Sequence, residues 1–150
     1  MKPNTRQPKL VGEWVELKFM VCAAEAGLTV SKPYGDSARF DFVVGQRAPL
    51  HRVQVRGTSV FSNRSYLCLT YHGGRQHPFT TRDVDFFAVY VIPCDAWYIV
   101  PMHAITSRYA ICLYPHVLNS RSRMEQFREA WHLLAAPAST KIPRSRSLSR

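Results

Sequence analysis

A run of apolar and aromatic residues at positions 86–92 limits the folds that are open to this chain. The run is much too short to span a bilayer. It fits a β-strand that is covered on both faces, because successive side chains of a strand point in opposite directions. A surface strand would expose half of these side chains to water. The run therefore predicts an interior strand in a sheet that is packed on both sides.

The elements around this strand predict an α+β fold. An amphipathic helix is predicted at residues 10–26, followed by Gly27 where a helix would end. Its apolar residues at helical spacing are Leu10, Val11, Trp14, Leu17 and Val21. Further strands are predicted at 28–31, 39–44, 51–56, 65–71, 96–100 and 109–114. A short helix at 102–107 and a closing amphipathic helix complete the pattern, the latter marked by Met124, Phe127, Trp131 and Leu134.

Length and composition predict one globular domain. A chain of 150 residues, of which 46% are hydrophobic, can bury one core and has no room for a second domain. We expect the domain to occupy residues 9–136. A flexible basic tail is predicted at 1–8, and a disordered basic tail rich in Ser and Arg at 137–150.

The net charge of +10 is concentrated at the two ends of the chain. Seven basic residues and no acidic residue lie within residues 1–9 and 137–150: Lys2, Arg6, Lys9, Lys141, Arg144, Arg146 and Arg150. The remaining 13 basic and 10 acidic residues leave only +3. Such tails either add sequence-independent affinity for phosphate backbones or are merely solvated.

The cysteines and the N-terminus predict a soluble cytoplasmic protein without a membrane segment. Cys22, Cys68, Cys94 and Cys112 are far apart, each within apolar sequence, and form no C-x-x-C pair. Buried free thiols and a reducing compartment are the expected reading. The first residues show no signal-peptide pattern.

Two polar residues share one face of a predicted strand. In the strand at 51–56, Val53 and Val55 point to one face, whereas Gln54 and Arg56 point to the other. In the preceding strand, Phe42 is expected to face the core, which leaves the neighbouring Asp41 on the opposite side.

The hairpin between these strands brings Asp41 and Gln54 together. If Val44 lies opposite His51, counting back along the hairpin places Asp41 opposite Gln54, with the roots of the side chains about 4.5–5.5 Å apart. A carboxylate and an amide oxygen suit a hard cation such as Mg²⁺. An ordinary half-exposed hairpin would show the same pattern, so spacing alone leaves both interpretations open.

The ordered set of segments resembles a known family. The segments are Gly-Glu-Trp-Val-Glu at 12–16, the stretch from Pro33 to Asp41, Arg-Val-Gln-Val-Arg at 52–56, and residues 85–90 and 97–101. Together they resemble the group I intron-associated endonucleases of the PD-(D/E)XK group over roughly residues 10–103. The resemblance implies a restriction-endonuclease-like core, in which a mixed β-sheet is flanked by helices.

The resemblance also implies roles for four residues. Asp41 and Gln54 correspond to the metal ligands of the motif, and Glu16, rather than Glu13, corresponds to a helical Glu near the metal. Arg56 stands where the motif has Lys. Because Arg stays protonated, it cannot act as a general base, although it can still stabilise negative charge.

The expected function is that of a metal-dependent DNA endonuclease of the homing type. Mg²⁺ is the expected cofactor, with Mn²⁺ as an alternative, and double-stranded DNA is the expected substrate. One small domain carries one active site, so cutting both strands requires a homodimer or a higher homo-oligomer. Two alternatives stay open: a DNA-binding relative that has lost catalysis through Arg56, and a Holliday-junction resolvase.

Other polar residues carry weaker interpretations. Asp36 is expected to cap its own turn. Several residues could bind phosphates or stack on bases, or could simply lie on the surface: Arg39, Arg52, Arg64, Arg75, Tyr66 and Tyr71. His72 and His77 flank a Gly-rich turn but belong to no defined metal motif.

Overall fold

The computed structural model describes residues 2–4, 6–73 and 77–138. The chain begins with one long helix, α1 (Pro8–Glu25), which has Pro at its first position, where the missing N–H costs nothing. The strands are β1 (Thr29–Ser31), β2 (Phe42–Gly45), β3 (His51–Thr58), β4 (Phe61–Ser62), β5 (Ser65–Leu69), β6 (Phe86–Val91), β7 (Ala96–Pro101) and β8 (Ala110–Leu113). A short helix, α2 (His132–Ala135), follows them.

The main sheet is mixed and five-stranded, in the order β1-β2-β3-β6-β7. Only β3 and β6 pair in parallel; the other neighbours are antiparallel. All residues of β6 are buried, and the strand has a neighbour on each side. The prediction of an interior strand covered on both faces is confirmed.

Helix α1 covers one face of the main sheet. Its buried residues Val15, Phe19 and Ala23 pack against Val53 and Val55 of β3, among others. The approach is close at Gly57: a Cβ atom there would lie 2.7 Å from Cγ2 of Val15. Glycine at this position therefore lets the helix lie directly on β3.

A second, three-stranded sheet covers the opposite face, with the order β4-β5-β8. Phe87, Val89 and Val91 of β6 share this second core with Cys68 of β5 and Leu113 of β8. The strand predicted at 109–114 does lie at an edge, as β8 of this outer sheet. The sequence patterns indicated neither the separate sheet nor the two-residue strand β4.

The prediction of a closing amphipathic helix is wrong. The region forms a 3₁₀ turn, Glu125–Phe127, and the four-residue helix α2. Between them Glu129 adopts a left-handed backbone conformation, with φ of 50°. Its N–H donates to the carbonyl of Trp97, and its carboxylate accepts the N–H of Trp97. Pairing with the free edge of β7 thus replaces the helical hydrogen bonds. The short helix predicted at 102–107 is likewise only a 3₁₀ turn, Met102–Ala104.

The predicted tails lie partly outside the described residues. The Lys2 ammonium donates a hydrogen bond to the carbonyl of Ile92, and α1 already begins at Pro8. At the other end, the N–H of Ala138 donates to the carbonyl of Pro49, and residues 139–150 lie outside the description. Within the described part of the chain, no helix is both long and apolar enough to cross a membrane.

Candidate metal and phosphate site

A cavity opens where β3 continues beyond the end of its partner β2. The two strands pair from Val44 opposite His51 to Phe42 opposite Val53, and β3 then runs on to Thr58. The cavity has a volume of about 490 Å³ and lies between α1, β3 and β5. Its lining includes all four residues that the resemblance singled out: Glu16, Asp41, Gln54 and Arg56.

Asp41 lies at the point where the hairpin opens. The predicted register is confirmed, and continuing it by one residue brings Asp41 opposite Gln54. The N–H of Asp41 donates to the carbonyl of Val53 (2.9 Å), and its Oδ2 accepts the N–H of Val55 (2.8 Å). The carboxylate therefore takes the hydrogen bond that a longer β2 would have made, and its position at the strand edge is fixed.

Burial raises the pKa of Asp41 above its ordinary value. The hydrogen bond from Val55 lowers this pKa, the charge of Glu16 raises it, and Arg56 and Lys32 lower it. Burial and the neighbouring carboxylate prevail over the two cations. A further cation beside Asp41 would stabilise its charged form, which is the property expected of a metal ligand.

Gln54 is buried, with 8% of its surface exposed. It lies on the face of β3 that also carries Arg56, since their partners in β6 are Phe87 and Val89, both in the second core. The predicted sharing of one face is confirmed. The Gln54 side-chain amide forms no hydrogen bond with the described residues, which leaves its oxygen free for a ligand in the cavity.

Glu16 reaches the cavity from α1. It follows Val15, whose side chain packs against Gly57, so the helix is held close to β3 at this point. Glu13 is exposed and does not line the cavity, whereas Glu16 does. Oε2 of Glu16 lies 2.9 Å from the Lys32 ammonium. This hydrogen bond raises the pKa of Lys32, which keeps the ammonium charged.

The guanidinium of Arg56 is held by the segment between β5 and β6. Nη2 of Arg56 donates to the carbonyl of Tyr71 (3.3 Å), and the guanidinium lies over the ring of Phe79, 5.6 Å from its centroid. The buried Nε has no hydrogen-bond partner among the described residues. Arg56 thus contributes a fixed positive charge to the wall of the cavity.

The oxygen atoms of the cavity fit a hard divalent cation. Asp41 and Glu16 supply carboxylates and Gln54 an amide oxygen, the ligand types that Mg²⁺ and Mn²⁺ prefer. Within residues 2–4, 6–73 and 77–138, no three His, Cys, Asp or Glu side chains form a cluster suited to a metal ion. The fit therefore requires the neutral Gln54 as the third protein ligand.

Arg52 and Arg39 lie outside the cavity. Arg52 is bound by Asp85 at 2.9 Å and by carbonyl groups of the preceding turn. Arg39 pairs with Asp83 at 3.0 Å and stacks over Phe79. These two arginines hold the turn before β6 in place and are not free to bind phosphate.

Among the remaining weak candidates that the structure describes, only His72 lines the cavity. Asp36 is exposed and forms no side-chain hydrogen bond with the described part of the chain, so its predicted cap is not seen there. Arg64 has a left-handed backbone, with φ of 63°, in the turn between β4 and β5. Of the two histidines, only His72 lines the cavity. Arg75 lies outside the described residues.

Sequence reasoning missed Lys32. The residue follows β1, in a segment that was predicted only to be a loop. One signal could have indicated it: besides Lys32, residues 9–136 contain only Lys9 and Lys18. A nuclease motif that lacks its Lys directs attention to these three residues.

Comparisons with known proteins agree with the fold. The sequence matches the PD-(D/E)XK endonuclease family over residues 6–134. The fold matches a solved structure of a bacterial homing endonuclease, I-Ssp6803I, with a TM-score of 0.69 and 29% sequence identity, covering 85% of this chain and 90% of the other. No protein with a curated function matches the sequence. Family match and fold together show that this chain belongs to the PD-(D/E)XK endonuclease family.

Proposed function

We propose that this protein is a divalent-metal-dependent DNA endonuclease of the homing type, which hydrolyses phosphodiester bonds in double-stranded DNA. The observation that carries the proposal is the convergence of Asp41, Gln54 and Glu16 on one cavity at the open edge of β3. The three residues come from separate elements, and only the fold brings them together. An incidental polar face on a hairpin would not include a buried amide and a carboxylate from a distant helix.

Asp41 and Gln54 are the proposed metal ligands, and Glu16 supports the same ion or a second one. Mg²⁺ is the expected ion, and Mn²⁺ has the same preference for oxygen ligands. When bound, such an ion supplies the positive charge that activates an attacking water and stabilises the leaving oxygen. The hydrogen bond from Val55 holds Asp41 in place before any ligand arrives, so little reorganisation is needed.

Arg56 contributes permanent charge on the same face of β3. The carbonyl of Tyr71 and the ring of Phe79 hold its guanidinium, which favours a role in stabilising a phosphate over a role in proton transfer. No Lys occupies this motif position, so the residue that approaches the attacking water is not supplied by β3.

The assembly and location complete the proposal. One domain carries one cavity of this kind, so cleavage of both strands calls for a homodimer or a higher homo-oligomer. All four cysteines are free, which is consistent with a reducing compartment such as the cytoplasm. An association with group I introns stays a prediction of the resemblance.

A second candidate function is DNA binding without cleavage. The observation that favours it is the anchored state of Arg56, because a guanidinium held by Tyr71 and Phe79 cannot replace a mobile ammonium. A Holliday-junction resolvase is a third candidate; it would use the same chemistry on a differently shaped substrate.

Cleavage assays separate these candidates. Supercoiled plasmid, linear duplex and a four-way junction are incubated with the purified protein, with and without Mg²⁺ or Mn²⁺. The proposal predicts metal-dependent cutting of duplex DNA. Preference for the junction indicates a resolvase, and binding of all three DNAs without any cutting indicates the catalytically inactive relative.

The variant Asp41→Ala tests the assignment of the site. We expect cleavage to fall by about three orders of magnitude, since the charged ligand is lost. The fold should be retained, because Asp41 is only half-buried and lies at a strand edge. Circular dichroism provides the control for folding. Equal cleavage by the variant and the wild type would remove Asp41 from the mechanism.

A further inference from the structure

We propose that Lys32 supplies the mobile ammonium that the PD-(D/E)XK motif carries at the position of Arg56. In the metal-free protein Lys32 pairs with Glu16; once a cation engages Glu16, the ammonium is released toward the phosphate of the bound DNA. The inference rests on the proposed nuclease function and assigns a new residue to that site.

The sheet places Lys32 beside Phe42, the residue that follows Asp41. Strand β1 pairs with β2 in the antiparallel direction, with Ser31 opposite Val43. The end of β1 therefore lies beside the beginning of β2. Lys32 follows Ser31, and its ammonium lies 5.5 Å from the centroid of the Phe42 ring. Phe42 is the residue directly after Asp41. The ammonium therefore lies over the beginning of β2, where the hairpin opens.

The ion pair with Glu16 turns Lys32 toward the candidate metal site. The Nζ to Oε2 distance is 2.9 Å, and Lys32 is close enough to Asp41 to favour the charged form of that carboxylate. Lys32 is thus paired with one of the two carboxylates, Glu16, in the metal-free protein, although its own side chain does not line the cavity. A divalent ion that takes up Glu16 competes with Lys32 for that carboxylate.

The surroundings of Lys32 allow it to move. Its side chain is 60% exposed, and Glu16 provides its one hydrogen bond within the described residues. An exposed Lys pair of this kind adds little stability and is easily exchanged. Arg56 contrasts with it, because its guanidinium donates to the Tyr71 carbonyl and stacks on Phe79. Of the two cations, Lys32 is the one that can follow a phosphate.

Lys18 does not compete for this role. Lys18 lies on α1, as Glu16 does. Its ammonium lies 5.7 Å from the centroid of the Trp14 ring and 3.8 Å from the Asp95 carboxylate, and Lys18 does not line the cavity. Lys18→Met therefore serves as a matched control, since it also removes one lysine and one lysine–carboxylate pair.

The test compares Lys32→Met with Lys18→Met and wild type in two measurements. The first is the dissociation constant for Mn²⁺ alone, by titration calorimetry. The second is the rate of duplex cleavage at saturating metal. We expect Lys32→Met to bind Mn²⁺ several-fold more tightly, because a like charge has been removed from beside the ion. Its cleavage should be at least about tenfold slower, because the phosphate has lost a cation. Lys18→Met should match wild type in both.

The proposal requires that Lys32→Met raise the affinity for Mn²⁺ and lower the rate of cleavage. A variant that binds Mn²⁺ more weakly and also cleaves more slowly would show that Lys32 merely supports the structure, and the proposal would be wrong. Unchanged Mn²⁺ affinity would show that Lys32 does not compete for Glu16, which also overturns it.

Failure of the nuclease function itself gives a different result. A wild type that binds Mn²⁺ and cuts no DNA under any condition overturns the proposed function together with the phosphate role of Lys32. A wild type that cuts, beside a Lys32→Met variant that cuts equally fast, overturns the role of Lys32 alone.

Discussion

The two faces of β3 differ in what holds their side chains in place. On one face Val53 and Val55 are buried against α1, and Gly57 admits Val15. On the other face Gln54 and Arg56 line a cavity, and Arg56 also contacts residues that lie far along the chain. Simple packing determines the first face. The second face depends on partners supplied by the loop between β5 and β6.

This difference indicates where stability and function reside. The face against α1 is mostly apolar, and the imidazole of its buried polar residue on β3, His51, makes a hydrogen bond with the carbonyl of Ala136, so the contribution of this face follows largely from close packing. On the opposite side, the carboxylate of Asp41 has a raised pKa, so its charged form costs stability unless a ligand is bound. We therefore expect changes on the first face to alter folding, and changes on the second face to alter ligand binding.

The largest effect on folding is expected for Gly57→Ala. The new Cβ would lie 2.7 Å from Cγ2 of Val15 and would push α1 away from β3. Overpacking of this kind costs about 1–3 kcal/mol. The matched control is Gly12→Ala, also along the cavity, where an added Cβ meets no atom within 4 Å. That change should be neutral or stabilising, as Ala favours helices. Urea denaturation measures both; equal destabilisation would refute the close contact.

A smaller effect is expected for Arg56→Lys. The variant loses the planar group that donates to Tyr71 and stacks on Phe79, at a cost of about 1 kcal/mol. Cleavage should nevertheless rise, because an ammonium can approach the attacking water and the phosphate as a compact charge. Urea denaturation measures the stability of the variant, and the plasmid assay measures its cleavage rate. A fall in both stability and cleavage rate would mean that the anchored guanidinium is itself the group that contacts the phosphate.

The smallest effect is the pH dependence that Asp41 adds to stability. Its pKa is raised in the folded state, so the protonated carboxyl favours folding at low pH, and this contribution is lost as the pH rises through that pKa. At neutral pH the ionised Asp41 therefore costs stability. Metal-free Asp41→Asn should be slightly more stable than wild type at pH 7, with the advantage shrinking in acid. Thermal unfolding at both pH values checks this, and a less stable variant at pH 7 would contradict it.

The main sheet could be predicted because its signals are local. The apolar run at 86–92 identified an interior strand, and alternation in β3 separated Val53 and Val55 from Gln54 and Arg56. The register of the hairpin, Val44 opposite His51, was assumed in the prediction, and the structure shows that pairing. Elements whose side-chain period is determined by one buried face can thus be predicted without knowledge of distant contacts.

The remainder depends on contacts between distant segments. The apolar residues after position 123 have helical spacing. In the structure, however, Glu129 forms two hydrogen bonds with the backbone of Trp97 in β7, and a helix does not form there. The outer sheet requires pairing of β5 with β8, which are more than forty residues apart. Lys32 contacts the candidate site through its ion pair with Glu16 of α1. Alternation and spacing in the sequence do not predict such contacts between distant segments.

The most direct test of the account is whether the cavity at the edge of β3 binds a divalent cation through Asp41. Thermal unfolding of wild type and Asp41→Asn is recorded with increasing Mg²⁺ or Mn²⁺, at a pH where the wild-type carboxylate is charged. The wild type should be stabilised, by about 2.7 kcal/mol when the metal reaches a hundred times its dissociation constant, and the variant should not respond. Equal stabilisation of both proteins, or of neither, would show that the cavity does not bind a divalent cation through Asp41.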